Sequence, residues 1–364
     1  MPSLLSAFDL QHTATGTLTA SVQFGFIAGT LLFAMATLTD RFAPARVFLI
    51  CALLGSCCNL ALLWPEHTLP SLWISRFFTG FFLAGIYPVG MKIASDYFEK
   101  GLGTSLGYLV GALVLGTAFP HLLKFWGQEL PWQTVVQATS ALAAIGGLLL
   151  WALVPNGPYR KSGAPVQWNA FLSVFKNHTF RSAAFGYFGH MWELYAFWTF
   201  IPWLLQSYNS IQQTAFAVSF WSFAGIACGA LACVLAGYLG SGLGTKKVAR
   251  TALLLSGCCC LLCPLLFQIA PPWLFLSFFL FWGMVVIADS PLFATLVAQN
   301  APLPLKGTAL TIVNGIGFTI TIVSIELLSR LLISPDSIWW FALLALGPVF
   351  GCFRLFSDTS RGTT

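Results

Sequence analysis

"ATLTDRFAPAR", residues 36–46, is a short polar turn carrying Asp40, Arg41 and Arg46, with apolar sequence on both sides. Apolar runs cover 16–37 before it and 46–64 after it. Each is long enough to cross a hydrocarbon core of about 30 Å as a helix. Further runs follow at 71–94, 103–123, 133–153, 182–206, 213–239, 249–268, 272–297, 308–332 and 337–355. The 364-residue chain is 57% hydrophobic and 8% charged, with a mean hydropathy of +0.82; a soluble domain carries about 25% charged residues. The pattern predicts an all-α polytopic membrane protein with eleven transmembrane helices in this chain.

The net charge of +6 invites a nucleic-acid reading, but the distribution of the charge excludes it. Fourteen of the seventeen Lys and Arg fall in alternate loops, among them Arg41, Arg46, Lys92, Lys100, Lys246 and Lys306. This is the positive-inside pattern, so these loops and the C-terminus are expected on the cytoplasmic side. The lipid bilayer is the expected partner, with no nucleic acid. All ten cysteines lie within the apolar runs. Cys260-Leu-Leu-Cys263 has redox or zinc spacing, but no His or carboxylate stands near it in sequence and no second pair completes a tetrahedral set. These thiols read as small packing residues. No disulfide, metal or cofactor is expected, and no protease, hydrolase or NTPase motif occurs.

The chain repeats itself. "GTSLGYLVG" (103–111) and "GTALTIVNG" (307–315) share G-T-x-L-x-x-x-x-G at an offset of 204. "PSLWISRFF" (70–78) and "PPWLFLSFF" (271–279) share a proline and paired phenylalanines at an offset of 201. Two related bundles, 1–154 and 182–364, are expected on either side of a basic loop, 155–181, that holds a short amphipathic piece around 168–175. "PSLLSAFD" (2–9) matches "PWLLQSYN" (202–209), the end of the sixth run and its exit. Residues 2–9 therefore read as the end of a helix, most of which is missing. Either the start is misassigned, or this is a truncated twelve-helix protein; the alternative is a true eleven-helix chain.

Two six-helix repeats, a central basic loop and the 36–46 turn together resemble the major facilitator superfamily, in its bacterial form. That family carries G-x-L-x-D-R-x-G-R-[RK] between its second and third helices. Leu38, Asp40 and Arg41 match, Ala36 and Ala43 replace the glycines, and Arg46 arrives late. The second-half turn "GYLGSGLGTKK" (237–247) keeps Gly237, Leu239, Gly244 and Lys246 but has Ser241 at the acid position. The resemblance implies a two-bundle fold with twelve helices in the complete protein and alternating access about a site near the midplane. It also implies that the family's helices 1, 4, 7 and 10 line the cavity. Asp40, with Arg41 and Arg46, is carried over as a gate whose carboxylate pairs with an arginine or a helix N-terminus in one conformation and releases in the other. A solvated turn is the plainer alternative.

Against that frame "GYFGHMWELYAFW" (186–198) stands out, because His190 and Glu193 share one face of an otherwise apolar run. Glu193 lies about 18 Å along a helix from Arg181, near mid-membrane, where ionisable groups face a cavity or a partner. Asp289, in "VVIADSPLF" (285–293), occupies a second run, and Pro291 is expected to loosen that helix. Glu193, His190 and Asp289 are the expected proton-coupling groups; a buried His190–Glu193 pair locking its helix against a neighbour is the structural alternative. Arg76, Tyr87, Tyr187, Trp192 and Asn314 are the expected substrate contacts, with Arg76 suited to an anion or to snorkelling toward the interface. Glu326 and Arg330, four apart, read as a helical ion pair.

The sequence therefore predicts a proton-coupled secondary transporter, not an enzyme, acting as a monomer in a cytoplasmic (inner) membrane on a small polar solute or organic anion. Efflux antiport of lipophilic compounds and a non-transporting sensor or scaffold remain open. "GTAFPHLL" (116–123) departs from the G-P-x-x-G-G pattern of family antiporters.

Overall fold

A computed structural model describes residues 8, 14–126, 131–160, 174–332 and 334–356. Most of the helix end expected at 2–9 and of the amphipathic piece expected at 168–175 lies outside them, as does the C-terminal tail beyond residue 356.

Each expected apolar run contains helix. The first half holds α1 (Ala14–Met35), the short α2 (Leu38–Arg41), α3 (Pro44–Leu60), α4 (Leu69–Leu83), α5 (Tyr87–Tyr97), α6 (Leu102–Phe125) and α7 (Trp132–Leu153). The second holds α8 (His178–Gln212), α9 (Val218–Leu243), α10 (Thr245–Ile269), α11 (Pro272–Ala288), α12 (Ser290–Asn300), α13 (Lys306–Leu331) and α14 (Leu346–Phe356). Among the described residues, nine helical stretches are long and apolar enough to cross a membrane, and Ala20–Met35 is a shorter apolar one. The exterior is apolar: Trp273, Leu142 and Phe353 are 70%, 69% and 68% exposed. His190, Glu193 and Asp289 are buried. That inversion is what a hydrocarbon solvent demands.

Three runs expected as single helices are interrupted. Run 71–94 breaks between α4 and α5, where Pro88 at the start of α5 cannot supply an amide to the preceding turn. Run 272–297 breaks at Asp289, with Pro291 two residues on. Run 337–355 begins as a 3-10 helix over Pro335–Ala345 before α14 takes over, and Pro348 lies in the first turn of α14. Conversely, α8 extends past its expected ends. Asn177 caps it by accepting from the amides of Thr179 and Phe180, and at the far end Tyr208 donates to the Ala270 carbonyl at 2.8 Å. Thr37, between α1 and α2, has φ 49°, a left-handed conformation unfavourable for a β-branched residue.

By their contacts the helices fall into two compact units. The first comprises residues 1–99, 129–174 and 301–319; the second comprises 100–128, 175–300 and 320–364. In the first, α1 meets the beginning of α13 closely: a Cβ at Gly315 would lie 2.2 Å from Thr30 Cγ2. Phe26 and Phe318 also meet there, their ring centroids 4.7 Å apart. In the second, α6 packs on α9 backbone to backbone. A Cβ at Gly107 would lie 2.6 Å from the Cys233 carbonyl oxygen, and one at Gly237 2.7 Å from that of Gly103. Small residues four apart permit this approach, the usual means of helix association in lipid. The Tyr108 and Tyr238 hydroxyls meet at 3.1 Å along the same seam.

Candidate functional site

Two clusters of buried polar groups stand out, one in each unit. The first begins with Asp40 on α2. Its Oδ1 accepts from the Gly307 amide at 2.9 Å, and its Oδ2 accepts from the Thr308 amide at 2.7 Å and the Thr308 hydroxyl at 2.8 Å. Those amides open α13 and have no partner within their own helix, so the carboxylate caps that helix from a distant part of the chain, where the helix dipole favours an anion. Lys92 Nζ lies 3.9 Å from Asp40 Oδ1 and also bonds Asp96 one turn along α5. Burial raises the Asp40 carboxyl above its ordinary range, opposed by the Thr308 amide, the Lys92 charge, the Gly307 amide and the Thr308 hydroxyl.

Sequence reasoning placed Lys92 among the solvated loop cations. The structure buries it, with a side chain 3% exposed; its i,i+4 spacing to Asp96 was the available signal. Arg41 and Arg46 are not brought to Asp40. Arg41 lies over the Phe42 ring at 5.5 Å, and Arg46 is exposed. The Asp96 carbonyl accepts from the Tyr159 amide at 3.0 Å, and the Tyr97 hydroxyl donates to the Pro155 carbonyl at 2.6 Å. The segment leaving α7 is thereby tied to the end of α5.

The second cluster lies in the other unit. His190 Nδ1 on α8 sits 2.7 Å from Asp289 Oδ1 at the break between α11 and α12. The ring of Tyr187 lies 5.8 Å from that of His190, and Phe293 flanks it at 6.2 Å. His190 Nε2 and Asp289 Oδ2 are buried and have no hydrogen-bond partner among the described residues. Glu193 is held separately. Its Oε1 accepts from the Ser256 hydroxyl on α10 and from Trp282 Nε1 on α11, the latter at 2.8 Å. Cys260 is an electrostatic neighbour of the same carboxyl, so a carboxylate far off in sequence does come to the Cys260–Cys263 pair. Ser256 and Trp282 were missed because each, read alone, looks like an ordinary packing residue.

The remaining candidates are dispersed. Trp192 Nε1 donates to the Leu343 carbonyl at 3.1 Å. Asn314 Nδ2 donates to the Leu310 carbonyl of its own helix at 2.9 Å. Tyr87 begins α5 and is half-buried. Arg76 on α4 is half-buried, its Nε is enclosed without a partner, and no carboxylate pairs with it among the described residues. Arg76, Tyr87 and Asn314 belong to the first unit; Tyr187 and Trp192 belong to the second. Glu326 and Arg330 form the expected exposed ion pair, with Oε1 2.7 Å from Nη2. No group of three His, Cys, Asp or Glu is placed to hold a metal ion among the described residues.

Apolar-faced helices around buried, hydrogen-bonded ionisable groups define a polytopic membrane protein with a polar interior. The family follows from its sequence: the model of the Major Facilitator Superfamily matches residues 1–325, and the chain belongs to that superfamily. It is a membrane transporter and not an enzyme. Its fold is similar to that of the human organic anion transporter MFSD10 (TETRAN), with a TM-score of 0.77 at 17% identity over 93% of this chain and 83% of that one. A bacterial homologue of the iron transporter ferroportin, in an outward-facing state, gives 0.74 at 14% identity over 99% and 93%. FucP, a transporter of the same superfamily in its outward conformation, gives 0.72 at 15% identity over 97% and 93%. Comparison with curated protein sequences yields no match.

Proposed function

We propose that the chain is a proton-coupled secondary transporter, acting as a monomer in a cytoplasmic (inner) membrane and carrying a small organic anion by alternating access. The observation carrying this reading is the His190–Asp289 pair. Two ionisable groups 2.7 Å apart, buried from water, leave His190 Nε2 and Asp289 Oδ2 without a hydrogen-bond partner among the described residues. A buried polar atom left without a partner is costly, and such a group within a membrane marks an ion or substrate path by default. Loading a proton onto Asp289 weakens its hold on His190, and unloading restores it, so occupancy by a proton is coupled to how α8 and the α11–α12 break engage. Glu193 is the second coupling carboxylate in this reading.

Arg76 supplies the preference for an anion: no carboxylate pairs with it among the described residues, and a negatively charged solute would satisfy its guanidinium. The Asp40 contact with α13 is the gate on the cytoplasmic side, and residues 1–154 and 182–364 are the repeats that rock. Among proteins of this fold, MFSD10 is an organic anion transporter and FucP a fucose:proton symporter, which makes both halves of the proposal chemically ordinary for the architecture.

Purified protein in liposomes loaded with a pH-sensitive dye, challenged with a panel of small carboxylates, tests this. A carboxylate that moves protons through the wild type is expected to move none through Asp289→Asn, and its KM is expected to rise in Arg76→Gln. Proton movement that persists unchanged in Asp289→Asn refutes the coupling.

A further inference from the structure

The zipper between α6 and α9 has an end. Glycines of α6 meet α9 as far as Gly111; the buried face of α6 continues through Val114 and Ala118, while Gly116 lies off that face in open space. Pro120 lies inside α6 and Pro202 inside α8. Each lacks the amide that a helix interior would use. Both prolines line a cavity of about 510 Å³ at the end of the second unit opposite the basic loops, bounded by α6, α8 and the start of α9.

The cavity wall has a definite chemistry. His121 and Lys124, three apart on α6 and therefore on one face, both line it, with Gln206 of α8 and Ser219 and Ser222 of α9. Among the described residues, no Asp or Glu lines it. The Ser222 hydroxyl is fully buried and has no hydrogen-bond partner among the described residues. A lysine, a histidine that adds a second positive charge when protonated, and three side chains able to donate hydrogen bonds thus surround a space with apolar flanks at Phe125 and Val218. Its volume falls within the range of small-molecule pockets.

We propose that this cavity binds an anionic group, a carboxylate or phosphate on a partly apolar molecule, with Lys124 as the charge partner and Ser222 as the buried donor. The site shares no residue with Arg76 or the His190–Asp289 pair, and it stands whether or not the protein couples transport to protons. Two sources present such a group at this end of the helices: a free organic anion in solution and the phosphate of an anionic lipid.

The test is equilibrium binding of benzoate, by calorimetry, to the full chain in nanodiscs of phosphatidylcholine with no pH gradient. Benzoate is expected to bind the wild type and Asp289→Asn alike, roughly tenfold more weakly to Lys124→Gln and Ser222→Ala, and near wild-type strength to Lys124→Arg. Lys124 is exposed, so its replacement leaves the fold intact. Repeating the titration with phosphatidylglycerol in the nanodisc separates the sources. Undiminished binding supports a free anion as the occupant, and competition supports the lipid phosphate in the same site. No benzoate binding to the wild type in phosphatidylcholine, or equal affinity in Lys124→Gln and Ser222→Ala, overturns the proposal.

Discussion

Thr308 holds Asp40 twice: its amide lies 2.7 Å and its hydroxyl 2.8 Å from the same carboxylate oxygen. The two residues are separated by most of the chain, so this contact joins the signature turn after α1 to the first turn of α13. A carboxylate in this position has fixed partners, and burial raises its hold on a proton against their pull.

The pH dependence follows from that burial. Burial raises the Asp40 carboxyl above the ordinary carboxylate range, so the folded protein binds this proton more tightly than a chain in which Asp40 meets water. A raised acid contributes stability that is present below the ordinary value and lost as pH rises through the raised one. The thermal midpoint of the wild type is therefore expected to gain on that of Asp40→Asn as pH falls from 7 toward 4. A constant difference between the two across that window contradicts the assignment.

Thr37 carries backbone strain. With φ 49° it occupies a region that costs an L-residue roughly 1–2 kcal/mol and glycine nothing. Thr37→Gly is expected to raise the thermal midpoint of the purified protein, and a lowered midpoint shows that other contacts of Thr37 outweigh the strain.

The α6–α9 seam predicts opposite outcomes for two glycines on one helix. Gly107→Ala places a methyl group 2.6 Å from the Cys233 carbonyl oxygen, whereas Gly116→Ala meets nothing within 4 Å. The first is expected to destabilise by about 1–3 kcal/mol and the second to leave stability unchanged or improve it, read from thermal unfolding in one detergent.

Trp282 donates to Glu193 while its ring lies 4.4 Å from that of Phe197, tilted by 40°. Trp282→Phe keeps an aromatic ring but removes the donor, and is expected to cost about 1.5–3 kcal/mol, as for a hydrogen bond to a charged group. Adding Glu193→Gln is expected to cancel most of that loss in a double-mutant cycle. Strict additivity of the two substitutions excludes the coupling.

The helices were legible because the bilayer imposes one requirement on every span, and apolar length states it directly. Pro291 gave away the break at Asp289, and the i+4 spacing gave the Glu326–Arg330 pair. What stayed hidden was pairing across helices. His190 and Glu193 share a face, yet they turn to different partners, because α8 meets the α11–α12 break at one level and α10 with α11 at the next. Lys92 was counted as a loop cation, because sequence cannot show that the first turn of α13 and Asp40 enclose it. The 3-10 opening of run 337–355 also left no apolar signature.

The glycine seam also sets an order of events in synthesis. Gly107 and Cys233, which meet in it, are 126 residues apart in the chain; at roughly 5–20 residues per second, α6 waits about 6–25 s for its partner to emerge. During that interval Gly103, Gly107 and Gly111 present an open strip of backbone to lipid, the surface any other small-faced helix would choose. Until α9 arrives, that strip is covered only by lipid or by the insertion machinery, so a stall in elongation between the two spans prolongs its exposure.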